Sequence, residues 1–495
     1  MNLMRRAGES AAALIRERVA PGNRRRALVC CGPGNNGGDG WIVAAALARD
    51  GVDVHVLATG EPRSADGRTA KAEALATAPG LQVGGIPSGA FDVVVDALLG
   101  TGAQGPLRGD IARLAAEIAA AARRGARVVA LDLPSGLEAS TGETDSHAVR
   151  ADLTVSFGTV KRGHLLARST CGEIVIVDIG LGEHGDLVDG APALVDAVWV
   201  QRRVPPILAE AHKGVRRRIL IVGGDRGMAG AAALAARGAL RSGVGMVRLS
   251  VHPDSRPPLQ AAVPEATVLD WPDGDPPVEA TTWAHALLLG PGLGAGDAGR
   301  ERVERWLSCW RGPAVLDADA LNAFAGNEAA LGDLLDGRPA IVTPHPVEFA
   351  RLIGVDVDTV LAERFEIGAR LARALHAVVL LKGVPTVITA PDGEAMVSAT
   401  GTPVLATAGS GDVLAGIAVT LLAQTGDPFA AAACAAWVHG RAGEIANAGR
   451  PVRGVTLDDV LAALARAWPT GGGAAAAAPP HPAVVLATLP RVGDA

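Results

Sequence analysis

Residues Gly401 to Gly416 read Gly-Thr-Pro-Val-Leu-Ala-Thr-Ala-Gly-Ser-Gly-Asp-Val-Leu-Ala-Gly, and an apolar helical pattern runs from Val413 to Leu422. Small residues just ahead of a helix let free backbone N–H groups and the positive end of the helix dipole meet a phosphate. Asp412 stands at that helix start, so its carboxylate would lie beside bound phosphates and could act as a base. Taken alone, Gly-Ser-Gly-Asp is accounted for equally well by an N-capping Asp after a flexible turn. The company it keeps decides.

Two further sets of polar residues carry chemistry. In the first half, Pro33 to Gly40 holds two Asn amides, a carboxylate and four Gly, which supply oxygen ligands for a cation and donors for a phosphate or sugar. Asp96, Asp132, Ser135 and Lys161 follow at intervals. In the second half, Asp317, Asn322, His345 and Lys382 are groups that a phosphorylated ligand could use. His345 lies between two prolines, on a stiff loop that can aim its ring. Lys382-Gly383 can present a cation and a bare backbone to an anion.

These groups need elements to bring them together. Leu3 to Val19 has helical spacing and stops at Pro21-Gly22. Arg26 to Cys31 and Val52 to Leu57 are apolar runs suited to buried parallel strands, with a helix from Trp41 to about Arg49 between them. This is a βαβ unit with a Gly-rich first turn, although it lacks G-x-G-x-x-G and no acidic residue ends its second strand. Strands at Phe91 to Leu99, Arg127 to Leu131 and Val155 to Phe157 put Asp96 near a strand's C-terminal end and Asn36, Asp132, Ser135 and Lys161 in loops that follow strands. Such loops converge in an open α/β sheet.

A second series begins at Arg218 to Val222 and continues with Met246 to Val251, Ala286 to Leu289, Ala314 to Leu316, Ala340 to Val342, Val378 to Leu381 and Thr386 to Ile388. Strands alternating with helices predict a second doubly wound sheet. The fold class is therefore α/β, with two doubly wound domains at residues 1–190 and 198–468 and a boundary between Glu183 and Ala197. After Trp468-Pro469 come three Gly, five Ala and Pro-Pro-His-Pro, so 469–495 reads as a flexible low-complexity tail.

Composition narrows the function classes. At 495 residues the chain exceeds one ordinary core. A net charge of −6 argues against a general nucleic-acid surface. Five cysteines without a CxxC pair exclude a disulfide framework or zinc site and fit buried thiols in a reducing cytoplasm. No apolar run reaches the ~18 residues of a membrane span, and the first residues lack the apolar core of a signal peptide.

The first half resembles the NAD(P)H-hydrate epimerase domain, through Asn35-Asn-Gly-Gly-Asp-Gly40, Asp96-Ala-Leu-Leu-Gly-Thr-Gly102 and Asp132-Leu-Pro-Ser-Gly136. The resemblance implies a Rossmann-like fold. It implies that Asn35, Asn36, Gly37, Gly38 and Asp39, together with Gly100, Thr101, Gly102, Ala103, Gln104, Gly105 and Pro106, hold the hydrated dinucleotide. It further implies that Asp132 touches the reacting centre and that Asn36, Asp96 and Ser135 bind K+. Lys161 is a candidate acid/base or phosphate partner beyond that pattern. Family members carry a further short segment ahead of the Leu3 helix, which is missing from this sequence.

The second half resembles the NAD(P)H-hydrate dehydratase branch of the ribokinase-like superfamily. His212-Lys-Gly214, Gly290-Pro-Gly-Leu-Gly294, Asp317-Ala-Asp-Ala-Leu-Asn322, Thr343-Pro-His-Pro346 and Thr407 to Gly416 carry it, in order. It implies that Lys382, Gly383, Val384, Pro385, Thr386 and Gly411 bind the adenine nucleotide. Ala231, Gly292 or Gly294, His345 and Asp412 would contact the hydrated dinucleotide. Met228 stands where an aromatic residue is expected. ADP with Mg2+ is the implied phosphoryl donor, although spacing does not separate ADP from ATP.

The expectation is a cytoplasmic, bifunctional enzyme that repairs hydrated NADH and NADPH. It would act on small molecules, without nucleic-acid or membrane partners, as a homo-oligomer. Asp412, Asp132 and Lys161 would be its catalytic residues. Two alternatives remain at this level: a pyrimidine or sugar kinase with an accessory dinucleotide-binding domain, or a first half that binds without catalysing.

Overall fold

The computed structural model describes residues 2–19, 25–85, 89–181, 190–272, 274–469 and 483–486. Pro21-Gly22 and residues 183–189 of the expected boundary lie outside them. The chain forms two compact units, residues 1–189 with 473–495, and residues 190–472.

In the first unit the strands are β1 (Arg26–Cys31), β2 (Asp53–Ala58), β3 (Gln82–Val83), β4 (Val93–Ala97), β5 (Arg127–Leu131), β6 (Leu153–Phe157) and β7 (Glu173–Val177). They pair in the order β7-β6-β5-β4-β1-β2-β3, all parallel. Their apolar runs bury both faces. Val29 and Val95 join one core, while Leu28, Cys30 and Val94 join the other. The strand order reverses between β1 and β4, which opens a ligand crevice at their carboxyl ends.

The helix after β1 spans Asn35–Arg49 and begins earlier than the sequence indicates. Asn35 to Asp39 form its first turns and are not a flexible loop. Glycine is a poor helix former, costing roughly 1 kcal/mol relative to Ala, but close packing requires it here. A Cβ on Gly37 would sit 1.9 Å from the Gly32 carbonyl oxygen, and one on Gly40 would sit 2.6 Å from Ala97 Cβ. The helix Asn2–Leu14 buries Met4, Ala7, Ala11 and Leu14 in the core shared with Trp41 and Ile42.

In the second unit the strands are β8 (Ala193–Leu194), β9 (Arg218–Val222), β10 (Met246–Val251), β11 (Thr267–Asp270), β12 (Ala286–Leu289), β13 (Ala314–Leu316), β14 (Ala340–Val342), β15 (Val378–Leu381), β16 (Thr386–Thr389) and β17 (Ala395–Ser398). The order is β11-β10-β9-β12-β13-β14-β15-β16-β17-β8. Pairing is parallel from β11 to β15, antiparallel from β15 to β17, and parallel again between β17 and β8. Here the order reverses between β9 and β12. Ile219 and Ile221 face one core, Leu220 and Val222 the other.

One element departs from the expected tail. Ala483–Leu486 forms β18, which pairs antiparallel with β7 of the first unit. The low-complexity stretch before it hides Ala-Val-Val-Leu, a β-branched apolar run with high strand propensity. The rest of the expected tail beyond Pro469 lies outside the described residues. Among the described residues, no helix is long and apolar enough to cross a membrane.

Candidate active sites

In the first unit the predicted residues gather at the β1/β4 switch. Asn36 is buried on its helix, and its amide donates to the carbonyls of Leu99 at 2.7 Å and Leu131 at 3.0 Å. Its Oδ1 is buried without a hydrogen-bond partner among the described residues. Asp96 lies inside β4 and not in the following loop, and it is fully buried. Its carboxylate accepts from Ser135 N and Ser135 Oγ, both at 2.7 Å, and from Leu98 N at 3.2 Å. Ser135 Oγ in turn accepts from Leu99 N at 3.0 Å. Burial pushes the Asp96 carboxyl up to about 6, against the lowering effect of the Ser135 bonds.

Asp132 follows β5 with a φ of 61°, a left-handed conformation costing on the order of 1–3 kcal/mol in a non-glycine residue. The strain aims its carboxylate at Lys161 Nζ, with which it is ion-paired, and at Phe157 N at 3.2 Å. Lys161 Nζ also donates to Ser156 Oγ at 3.1 Å and Phe157 O at 3.0 Å. A Cβ on Gly100 would lie 3.4 Å from Asn36 Cβ and 3.9 Å from Asp132 Oδ2, so these three residues share one small space. Asp39 is buried, and burial followed by the charge of Asp132 raises its carboxyl well above the usual range.

His164, which no sequence motif marks, supports this pair. Fully buried, it accepts from Lys161 N at 3.1 Å through Nδ1, and burial followed by the Lys161 charge lowers it to about 4. Gly100 to Pro106 form a largely exposed loop, and a cavity of about 240 Å³ separates its Ala103, Gly105 and Pro106 from Gly136 to Glu138 and Glu143 to Asp145. Asn35 is exposed at the helix start.

In the second unit the helix Ser410–Thr425 begins after Gly409, whose φ is 90°. No side chain caps it, so Asp412 is not an N-cap and its carboxylate is free for other work. Asp317 and Lys382 meet beside it, 65 residues apart in sequence: Lys382 Nζ donates to Asp317 Oδ1 at 2.8 Å and lies 3.6 Å from Glu348 Oε2. A Cβ on Gly411 would lie 3.3 Å from Lys382 Nζ and 3.7 Å from Asp317 Oδ2. Lys382 is thus held by carboxylates and does not extend freely towards an anion. Burial alone would lower its ammonium, but Asp317 and Glu348 outweigh that and raise it. Burial and the Asp317 charge push the Asp412 carboxyl up to about 7, with Lys382 pulling the other way.

His345 caps the helix Pro346–Ile353. Its Nδ1 accepts from Val347 N at 3.1 Å and Glu348 N at 3.3 Å, and Glu348 Oε2 accepts from His345 N at 2.8 Å. With Nδ1 accepting, the proton of the neutral ring sits on Nε2, and the side chain is 46% exposed. Burial lowers the ring's affinity for a second proton. Glu348 was legible as a capping partner at i+3, though with His in place of the usual Ser or Thr. His439, also missed, is buried 3.3 Å from Ser410 Oγ.

At the β9/β12 switch, a Cβ on Gly292, whose φ is 58°, would sit 2.7 Å from Met228 Cβ and 3.2 Å from Ala231 Cβ. Gly294 N donates to Asp319 Oδ2 at 3.0 Å. Asp317 and Asp319 flank Ala318, whose φ of 52° is another strained position beside charged groups. Gly383 and Val384 are exposed, while Pro385 is buried with its carbonyl accepting from Arg364 at 2.8 Å, and Thr386 Oγ1 donates to Gly383 O at 3.0 Å. Asn322 takes a 3.5 Å bond from Arg351 and is not bonded to the Lys382 group.

Both units are similar to known proteins. The family model described as NAD(P)H-hydrate dehydratase matches residues 219–466, and that of the YjeF-related protein N-terminus matches residues 1–163. The bifunctional NAD(P)H-hydrate repair enzyme Nnr of Moorella thermoacetica is 38% identical over 461 residues, covering 88% of this chain and 86% of that protein. Its Escherichia coli namesake is 35% identical over 474 residues, covering 94% and 88%. A crystal structure of the ADP/ATP-dependent NAD(P)H-hydrate dehydratase from Bacillus subtilis, co-crystallized with ATP and Mg2+, is 30% identical. It superposes with a TM-score of 0.51 over 56% of this chain and 98% of that one. This chain belongs to the family of bifunctional NAD(P)H-hydrate repair enzymes.

Proposed function

We propose that the first unit interconverts the R and S hydrates of NADH and NADPH and that the second dehydrates the S form with ADP. The observation that carries the second activity is Asp412, uncapped at a helix start and beside the Lys382–Asp317 pair. In this reading Asp412 takes the proton from the hydroxyl on the hydrated ring, and that oxygen attacks the terminal phosphorus of ADP, releasing AMP. Backbone N–H groups at the helix start stabilise the transferred phosphoryl group. Phosphate then leaves with the C–O electrons, pushed by the ring nitrogen, and loss of a proton from the adjacent carbon restores the double bond. His345 Nε2–H and the Met228–Ala231–Gly292 turn would hold the substrate. Lys382 to Thr386 and Gly411 would hold the nucleotide. Mg2+ would enter with the nucleotide and neutralise charge on its phosphates.

In the first unit Asp132 and Lys161 are the proton-transfer pair. The Asn35–Asp39 helix start and the Gly100–Pro106 loop would seat the dinucleotide. K+ fits Asn36, Asp96 and Ser135: the set is all oxygen, and among the described residues Asn36 Oδ1 has no hydrogen-bond partner and the buried Asp96 carboxylate is bonded only to Ser135 and Leu98. The ion would supply charge compensation there. Exchanging KCl for tetramethylammonium chloride should lower the melting temperature of the first unit by several degrees and slow consumption of the R hydrate to its spontaneous rate, while S-hydrate dehydration continues. Equal melting and equal R-hydrate consumption in both salts would refute the potassium assignment.

Self-association belongs to the same reading. Ile207, Leu208 and Val215 are 56%, 64% and 61% exposed around a cavity of about 350 Å³ on the second unit. Sedimentation of the full chain should give a multiple of 50.0 kDa; a monomer at micromolar concentration overturns it. The five free cysteines, four of them buried, suit a cytoplasmic site of action.

A further inference from the structure

The second unit's residues lie between two parts of the first: β7 precedes them and β18 follows them. We infer that the outer edge of β7 is an interaction surface built for the chain's own C-terminal strand, and that residues 483–486 are a working part of the first unit.

Without β18, β7 would be the sheet's terminal strand, Glu-Ile-Val-Ile-Val, with Ile174 to Val177 buried and no charge on the edge beyond Glu173. A flat apolar edge with open N–H and C=O groups invites pairing with other chains, and proteins cover or interrupt such edges. The register answers this need residue for residue: Ala483 faces Val177, Val484 faces Ile176, Val485 faces Val175 and Leu486 faces Ile174. The sides of the added strand also differ as an edge strand requires. Leu486 is 6% exposed, whereas Val485 is 44% exposed. Proline at 482 and again at 490 brackets the run, which limits the pairing to a short segment.

The brace reaches the site through one strand. β7 pairs with β6 from Glu173↔Leu153 to Val177↔Phe157. Ser156 and Phe157, at the end of β6, hold Lys161 Nζ, and Phe157 N holds Asp132. Removing β18 therefore loosens the edge nearest the Asp132–Lys161 pair, and the first activity fails before the second.

Hydrogen exchange of the full-length protein and two full-length variants tests this. Successive N–H groups of a strand point to opposite edges, so only one of Val484 and Val485 donates to β7. Of V484P and V485P, one should abolish protection of alternate amides in 174–177, those facing outward, while the amides facing β6 stay protected. The other variant should do so far less, since proline is tolerated where an edge N–H meets solvent. The chain ended after Pro469 should lose the same amides and melt lower in its first unit by more than about 4 °C. A synthetic peptide of residues 481–490, added in trans, should restore protection. Unchanged exchange and melting in the shortened chain and both variants would overturn the inference. The activity consequence rests on the epimerase reading and the exchange result does not, so the two failures are distinguishable.

Discussion

Asp412→Asn is expected to lower S-hydrate dehydration by about 10³-fold or more while leaving epimerisation within twofold of the parent. The size follows from the loss of a positioned base, which contributes typically 10²–10⁴. Asn keeps the shape of the side chain, and Asp412 caps nothing, so the helix start should survive. Stability gives a second readout with the opposite sign. The carboxyl lies at about 7 in the folded chain against an ordinary 3.8. A raised carboxyl disfavours the folded state once it must ionise: the penalty is absent below about pH 4, grows through that window and is complete above about pH 7. The second unit of Asp412→Asn should therefore melt higher than the parent at pH 8 and alike at pH 4. An inactive variant that melts higher marks a residue kept for chemistry. An active variant would remove Asp412 from the mechanism. In the parent, dehydration should fall as pH drops below about 7, because the base must be unprotonated to act.

Asp132→Asn should do the reverse. Its backbone φ of 61° is one that Asn adopts more readily than most residues, so the turn is retained. What changes is the charge facing Lys161, and epimerisation should fall by about 10²–10⁴-fold. Given a mixture of hydrates and ADP, the variant should consume the S fraction at the parental rate and leave the R fraction to its slow spontaneous conversion. Chromatography that resolves the two epimers reads this directly. Loss of both activities would contradict two independent sites.

Much of this was legible in the residues because strand ends carry the chemistry. Short apolar runs bounded by Gly marked β1, β4, β5, β9, β12 and β13, and the polar residues that follow them converge as topology requires. The discrepancies have physical causes. Asn35 to Asp39 read as a turn because glycine disfavours helix locally, yet contacts with Gly32 and Ala97 leave room for nothing larger. Asp96 sits inside the expected strand Phe91 to Leu99, but its partner Ser135 is distant in sequence, so what satisfies the buried carboxylate has no local signature. The Lys382–Asp317 pair has no local signature, since it joins β13 to β15 across the sheet. The strand β18 was masked by the Gly- and Ala-rich run before it.

The central claim, dehydration by phosphoryl transfer, is tested most directly by stoichiometry. Purified full-length protein is given the S hydrate of NADH with MgADP, and NADH absorbance, AMP and inorganic phosphate are followed together. Equal molar yields of NADH, AMP and phosphate are the predicted result. NADH formed without AMP, or a phosphorylated alcohol accumulating in place of NADH, would contradict it.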